Sequence, residues 1–208
     1  MQTDKIMITS SGAGFVEALE EATKFAEYTG LDRKSALRVR LLTEETLGLI
    51  GAITGEFNAL FSIESDKDCS VRIHLTAKTE MDFEKRKELI DASTDKKNAS
   101  AKGFMGKIRQ LIENAMYSVD EVGSLSVEYG DSSLMYGTMG MMETTPSTVI
   151  WSLNSYRTSV ETASQNDDAA KEAWDELEKS IVASIADDVK VGIKGSTVEL
   201  VIEKRSFK

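Results

Sequence analysis

The chain has 208 residues, of which 29% are charged and 41% are hydrophobic, so it can bury a sizeable core. Its net charge of −10 argues against non-specific binding to nucleic acid, because contact with a phosphate backbone needs a basic surface. Cys69 and His74 are the only cysteine and histidine, which excludes an intrachain disulfide and a zinc site built from these residue types.

Neither a signal peptide nor a transmembrane segment is predicted. The N-terminal residues contain no apolar stretch of signal-peptide length, and no run approaches ~20 apolar residues. A reducing cytoplasm is therefore the expected location, with no membrane partner. His74 lies in an alternating run of apolar and polar residues, and we interpret it as a strand residue without a catalytic role.

A short edge strand at residues 5–9 and two helices are predicted at the start of the chain. Apolar residues at helical spacing indicate a helix over 14–28, which Gly30 ends. A long amphipathic helix over 31–54 follows, with Asp32 as its N-cap, and the two helices are expected to pack as an antiparallel pair. The apolar face of the long helix is expected to consist of Ala36, Leu37, Leu41, Leu42, Leu49, Ile50 and Ile53.

The long helix also carries a carboxylate pair, Glu44 and Glu45, and two glycines, Gly48 and Gly51. A glycine inside a helix costs roughly 1 kcal/mol relative to alanine, so each requires an explanation. Close packing of another backbone is the more common explanation, and a ligand that approaches the helix surface is the other. The two glutamates fit either a solvated patch or the remnant of a binding site.

Two β-hairpins are predicted on either side of a less regular middle. Residues 59–64 and 70–77 alternate between apolar and polar, with turn residues at 65–68 between them. Residues 188–193 and 197–203 alternate in the same way around a turn that contains glycine.

The middle of the chain predicts further helices and one more hairpin. A methionine-rich tract follows that hairpin, and such tracts more often form core or an oligomer contact than a cofactor site, so a homodimer remains open. The helices are expected at 83–92, from Gly103 through Met116, from Pro146 through Val160 and from Ala169 through Ile185, and the hairpin at 124–136.

These elements predict a single α+β domain over residues 1–208. One-sided apolar helices and alternating strands need a shared face to bury, which favours a two-layer α/β sandwich with a mixed sheet covered by helices on one face. Residues at about 95–148 form an insert to which no role is assigned. The insert could supply a partner surface or a dimer contact.

The order of the elements resembles the histidine-kinase-like ATPase (GHKL) superfamily, and within it the anti-sigma factor serine kinases. The N-terminal part of the likeness covers residues 15–78, with the runs ALEEATKFA at 18–26 and RLLTEETLG at 40–48. The C-terminal part covers residues 177–207, with IADDVKV at 185–191 and KGSTVEL at 194–200. The resemblance implies a histidine-kinase-like ATPase fold that binds ATP or ADP.

The resemblance also implies roles for residues of the long helix. Glu44 matches the family's glutamate, which positions a water molecule for phosphoryl transfer, and Glu45 lies beside it in the pocket. The family's magnesium-binding asparagine, four residues later, falls on Gly48, which has no side chain to offer.

Other pocket residues are matched in part. Asp82 falls on the aspartate that reads the adenine amino group, although the two glycines that follow it in the family are missing. Gly103 and Gly106 correspond to the glycines that open a helix against the phosphates. Thr197 resembles the threonine that lies beside the adenine pocket.

Loss of the magnesium ligand should weaken phosphoryl transfer, which depends on a metal that bridges phosphate oxygens. The resemblance therefore implies a cytoplasmic regulatory protein with weakened or lost binding of ATP and Mg²⁺, which acts through a protein partner. One alternative is an active ATP-binding serine/threonine protein kinase of the anti-sigma factor type. Another is a binding protein with an unrelated small molecule in the same pocket.

Overall fold

The computed structural model describes residues 1–54, 56–66, 70–79, 149–164, 168–194 and 197–205. Several predictions for the middle of the chain lie outside these residues, including the helix at 83–92, the helix from Gly103, the hairpin at 124–136, the methionine-rich tract and the insert at about 95–148. The described elements, in chain order, are β1 (Ile6–Thr9), α1 (Phe15–Tyr28), α2 (Arg33–Thr54), β2 (Phe57–Ser65), β3 (Val71–Thr79), β4 (Val149–Ser152), α3 (Leu153–Ala163), α4 (Asp168–Lys179), α5 (Ile181–Ile185), β5 (Asp188–Lys194) and β6 (Thr197–Lys204).

The six strands form one sheet in the order β1-β2-β3-β6-β5-β4. The α+β class and both flanking hairpins are confirmed, but the expected mixed sheet is wrong, because every described pair of strands is antiparallel. Helices α3–α5 connect β4 to β5, and β5 begins at the same end of the sheet at which β4 ends. Ser152, which ends β4, donates from Oγ to Oδ1 of Asp188 at the start of β5 over 3.0 Å. Neighbouring strands joined in this way run in opposite directions.

The core lies between the helices and one face of the sheet. Alternate strand residues point to this face, and Phe61, Ile73, Leu75 and Leu200 are almost fully buried there. The opposite face of the described strands carries mainly charged and polar side chains, together with the exposed Met7 and Leu60. This division follows from the period-two alternation along each strand.

Helix α2 buries a face that only partly matches the predicted one. Leu42, Leu49 and Ile50 are buried as expected, whereas Leu37 is 58% exposed. Ala36 and Leu41 are half-buried, and the side chain of Ile53 lies outside the description.

Two buried threonines account for this rotation of α2. Thr43 and Thr46 are fully buried, and each donates its hydroxyl to a backbone carbonyl one turn earlier. The acceptors are Val39 O at 3.0 Å and Leu42 O at 2.6 Å. Because the hydroxyls are satisfied within the helix, the threonines lie in the core at little cost. Leu37 then lies on the opposite side.

The boundaries of the first two helices follow the sequence closely. The N-cap prediction for Asp32 is confirmed, because its Oδ1 accepts from the Ser35 backbone N–H over 2.7 Å. Gly14 precedes α1 with a φ of 81°, and a side chain there would collide with the carbonyl oxygen of Met7. Glycine therefore allows α1 to begin directly against β1.

The predicted helix over 146–160 is wrong at its start, because Val149–Ser152 forms β4. The β-branched residues of this stretch favour a strand, and β5 offers an edge for it to pair with. The helix begins only after Ser152, whose Oγ accepts from Ser155 N over 3.4 Å. Its buried face consists of Leu153, Tyr156 and Val160.

The predicted continuous helix over 169–185 is two helices. Ser180 has an extended backbone with a ψ of 125°, and its Oγ accepts from Ala183 N over 3.2 Å, so it caps α5. The serine thus breaks the helix that the apolar spacing predicted. No helix within the described ranges is long and apolar enough to cross a membrane.

Substitution of Leu42 or Ile50 by alanine is expected to lower the free energy of unfolding by about 2–5 kcal/mol, because each removal leaves a cavity in the core. Leu37→Ala is the matched control and should change it by less than about 1 kcal/mol, since Leu37 is exposed. Glu45→Ala should also change it little. Chemical denaturation measures all four, and a larger loss for Leu37→Ala than for Leu42→Ala would contradict this orientation of α2.

Candidate functional site

Glu44 and Gly48 lie one turn apart on the exposed side of α2, and Glu45 beside them is half-buried. Among the described residues, no heavy atom from outside α2 lies within 4 Å of the position that a Cβ on Gly48 would occupy. Close packing of a described backbone therefore does not explain Gly48. The surroundings of Gly51 lie outside the description. Gly48 is exposed, and the described part of the fold leaves the helix surface there open.

The topology brings the C-terminal end of α2 and the start of β6 to the same end of the sheet. Two residues separate the end of α2 from β2, whose first residue, Phe57, pairs with Thr79 at the end of β3. Thr197 at the start of β6 pairs with Lys78, next to that position. Val149, where β4 begins, pairs with Ile193 near the end of β5, so it lies at this end as well.

Thr197 nevertheless lies on the other face of the sheet from α2. Along β6, Val198, Leu200 and Ile202 are buried against the helices, so the alternation places Thr197 with Lys78 on the opposite face. The structure thus brings Glu44, Glu45 and Gly48 together on one helix and does not place Thr197 beside them. Asp82, Gly103 and Gly106 lie outside the described residues.

Sequence reasoning missed a cluster of charges on the open sheet face. Arg72 on β3 donates from Nε to Oε1 of Glu64 on β2 over 2.5 Å. His74 Nε2 lies 3.2 Å from the same carboxylate oxygen, and Arg72 Nη1 lies 3.8 Å from Asp66. The strand register could have revealed the cluster, because Glu64 pairs directly with Arg72.

The charges in this cluster change the pKa of Glu64. Partial burial raises the pKa of the Glu64 carboxyl, but the hydrogen bond from Arg72, its positive charge and the nearby His74 outweigh that effect and lower the pKa. The hydrogen bond to Glu64 in turn raises the pKa of Arg72. The cluster therefore stabilises the ionised carboxylate of Glu64.

A cleft of about 480 Å³ opens next to this cluster, at the end of the sheet away from Thr197, and cations line much of it. Each of these cations has a carboxylate partner. Lys190 lies 2.7 Å from Glu203, and Lys204 lies 2.8 Å from Asp187. Arg205 lies 3.7 Å from Glu203. Ion pairs therefore line the cleft, and they leave little uncompensated positive charge that could bind an anion.

No metal centre can be assigned within the described ranges. They contain no group of three or more histidine, cysteine or carboxylate side chains arranged to hold a metal ion. Comparison with known proteins gave no significant match to a family model, a curated protein or a solved structure.

Gly48→Ala is expected to raise the free energy of unfolding by about 1 kcal/mol, because alanine favours the helix and its methyl group meets open space. Gly30→Ala is the matched control. No described atom lies near this glycine either, but its φ of 68° disfavours any side chain. The free energy of unfolding of this variant should therefore fall by about 1–2 kcal/mol. Urea denaturation compares them, and a destabilised Gly48→Ala variant would show that the helix surface is in fact occupied.

The depressed pKa of Glu64 predicts a pH-dependent contribution to stability. The contribution is fully present above the unfolded-state pKa of about 4.3 and is lost as the pH falls through the lower folded-state pKa. Glu64→Gln should therefore be less stable than the wild type near pH 7, and the difference should shrink in acid. Glu199→Gln removes an acid from the same sheet face as a control. A difference for Glu64→Gln that stays constant over this pH range would contradict the assignment.

Proposed function

We propose that this protein is a cytoplasmic regulatory protein that acts by binding another protein. In this proposal it uses a scaffold that resembles the GHKL ATPases and whose nucleotide function is weakened or lost. The observation that carries the proposal is the open surface at Gly48. The position that resembles the family's magnesium ligand carries no side chain, and no described residue outside α2 fills the space that one would take.

The chemistry around this position supports the same conclusion. Phosphoryl transfer depends on a metal ion that neutralises the charge on the phosphates. Without that ion, Glu44 and Glu45 would repel a triphosphate rather than assist its transfer. Thr197 faces away from α2, which further separates the residues that resemble a nucleotide pocket. Binding to a protein partner can continue without this chemistry, because it does not require any of these residues to act on a phosphate.

Isothermal titration calorimetry of ATP with and without Mg²⁺ tests the proposal. The wild type is expected to bind ATP weakly, with an affinity that Mg²⁺ hardly changes. Gly48→Asn should increase the dependence on Mg²⁺, because the new amide oxygen would lie one helical turn beyond Glu44 on the same face. Gly48→Ala is the matched control, since it adds a side chain without an oxygen and should behave like the wild type.

Neither variant should gain turnover, because the glycines that follow Asp82 in the family are absent from this sequence. Micromolar and strongly Mg²⁺-dependent binding of ATP by the wild type would overturn the proposal. The protein would then be better described as an active serine/threonine protein kinase of the anti-sigma factor type.

A further inference from the structure

Two large apolar side chains lie exposed on either side of the turn between α1 and α2. Tyr28, the last residue of α1, is 79% exposed, and Leu37 in the second turn of α2 is 58% exposed. Arg40 Nη1 donates to Thr23 Oγ1 over 3.2 Å, which ties the two helices together one turn further from the corner. Leu37 therefore lies between that contact and the turn. Neither apolar side chain contributes to the core.

Positive charge is concentrated at the same corner. Residues 33–40 contain Arg33, Lys34, Arg38 and Arg40 and no acidic residue, in a chain whose net charge is −10. These cations lie in the first turns of α2, where the helix dipole disfavours positive charge and favours negative charge.

Local structure does not explain why these cations lie in the first turns of α2. Asp32 is exposed and caps the helix mainly through hydrogen bonds with Ser35, which lower its pKa, while Lys34 and Arg38 contribute less. A sequence selected only for helix stability would place acids in this first turn. Recognition of a partner would explain the cations and the exposed apolar groups together.

The combination of charge and apolar surface selects a kind of partner. Exposed leucine and tyrosine next to arginine and lysine complement a segment that carries both acidic and apolar side chains. An anionic membrane is a poorer fit, because its extended surface would face the rest of a protein of net charge −10, whereas a short acidic segment faces only this corner. The same argument disfavours nucleic acid.

We propose that the corner formed by Tyr28, Arg33, Lys34, Leu37 and Arg40, here called the basic corner, is the docking surface for an acidic amphipathic segment of the partner protein. The inference rests on the proposed function, in which the protein acts through contact with another protein. It adds the location of the contact and the chemistry of the partner.

The test uses a fluorescently labelled peptide of glutamate and leucine at amphipathic helical spacing, with binding followed by fluorescence anisotropy in the absence of nucleotide. The wild type should bind it saturably and more weakly as ionic strength rises. The double variant Arg33→Glu/Leu37→Ser should lose about tenfold or more in affinity, because it inverts one charge and removes the apolar anchor.

A matched control removes one cation and one exposed apolar group elsewhere. Lys179→Glu/Ile181→Ser changes an exposed lysine and an isoleucine that is 46% exposed, and its affinity should stay within about twofold of the wild type. Because Arg33→Glu places an acid at the start of α2, that single variant should have a Tm at least as high as the wild type. Reduced peptide binding in Arg33→Glu would then not reflect unfolding.

Several results would overturn the inference. One is an equal loss of affinity for the acidic peptide in both double variants. The others are tighter binding of the wild type to a lysine–leucine peptide, or to phosphatidylserine vesicles, than to the acidic peptide. A concentration-dependent dimer that Arg33→Glu/Leu37→Ser abolishes would make the occupant a second copy of this chain. Strong Mg²⁺-dependent ATP binding would overturn the proposed function alone, since peptide binding is measured without nucleotide.

Discussion

The pairing of β3 with β6 is the interaction on which the described fold depends. It joins a strand from the first half of the chain to the last strand, from Val71 opposite Lys204 to Lys78 opposite Thr197. Each hairpin alone would leave an apolar face exposed, and isolated hairpins are marginally stable in water. Joined edge to edge, the β2-β3 and β5-β6 hairpins form one continuous apolar surface. Helices α1 and α2 and helices α3–α5 cover it. The core therefore requires contacts between residues far apart in sequence.

The elements that the sequence predicts well are those whose signal is local. The hairpins appear as alternation over a few residues, and the N-cap at Asp32 depends on its own next turn. The failures arise where a distant contact or a side-chain hydrogen bond decides the outcome. Residues 149–152 form a strand because β5 offers an edge, and Leu37 is exposed because Thr43 and Thr46 occupy the core.

In the candidate site, too, local features are predictable from the sequence and features set by distant contacts are not. That Glu44 and Gly48 share a helix face follows from a spacing of four residues, and the sequence predicted it. That no described element packs against Gly48 required the fold, because only the positions of those elements show it. The placement of Thr197 could have been predicted, since Val198, Leu200 and Ile202 are apolar and alternate with it. The same alternation that predicts the strand also determines the face on which this threonine lies.

The hydrogen bond between Ser152 and Asp188 has a consequence for how this fold can vary among related sequences. It fixes the start and the end of the three-helix excursion α3–α5 at one point of the sheet, where Asp188 also accepts from Asn154 N over 3.1 Å. Insertions or deletions within the excursion would therefore leave the register of β4 against β5 unchanged. Evolution can lengthen or shorten these helices as a module, provided that the serine and the aspartate are kept.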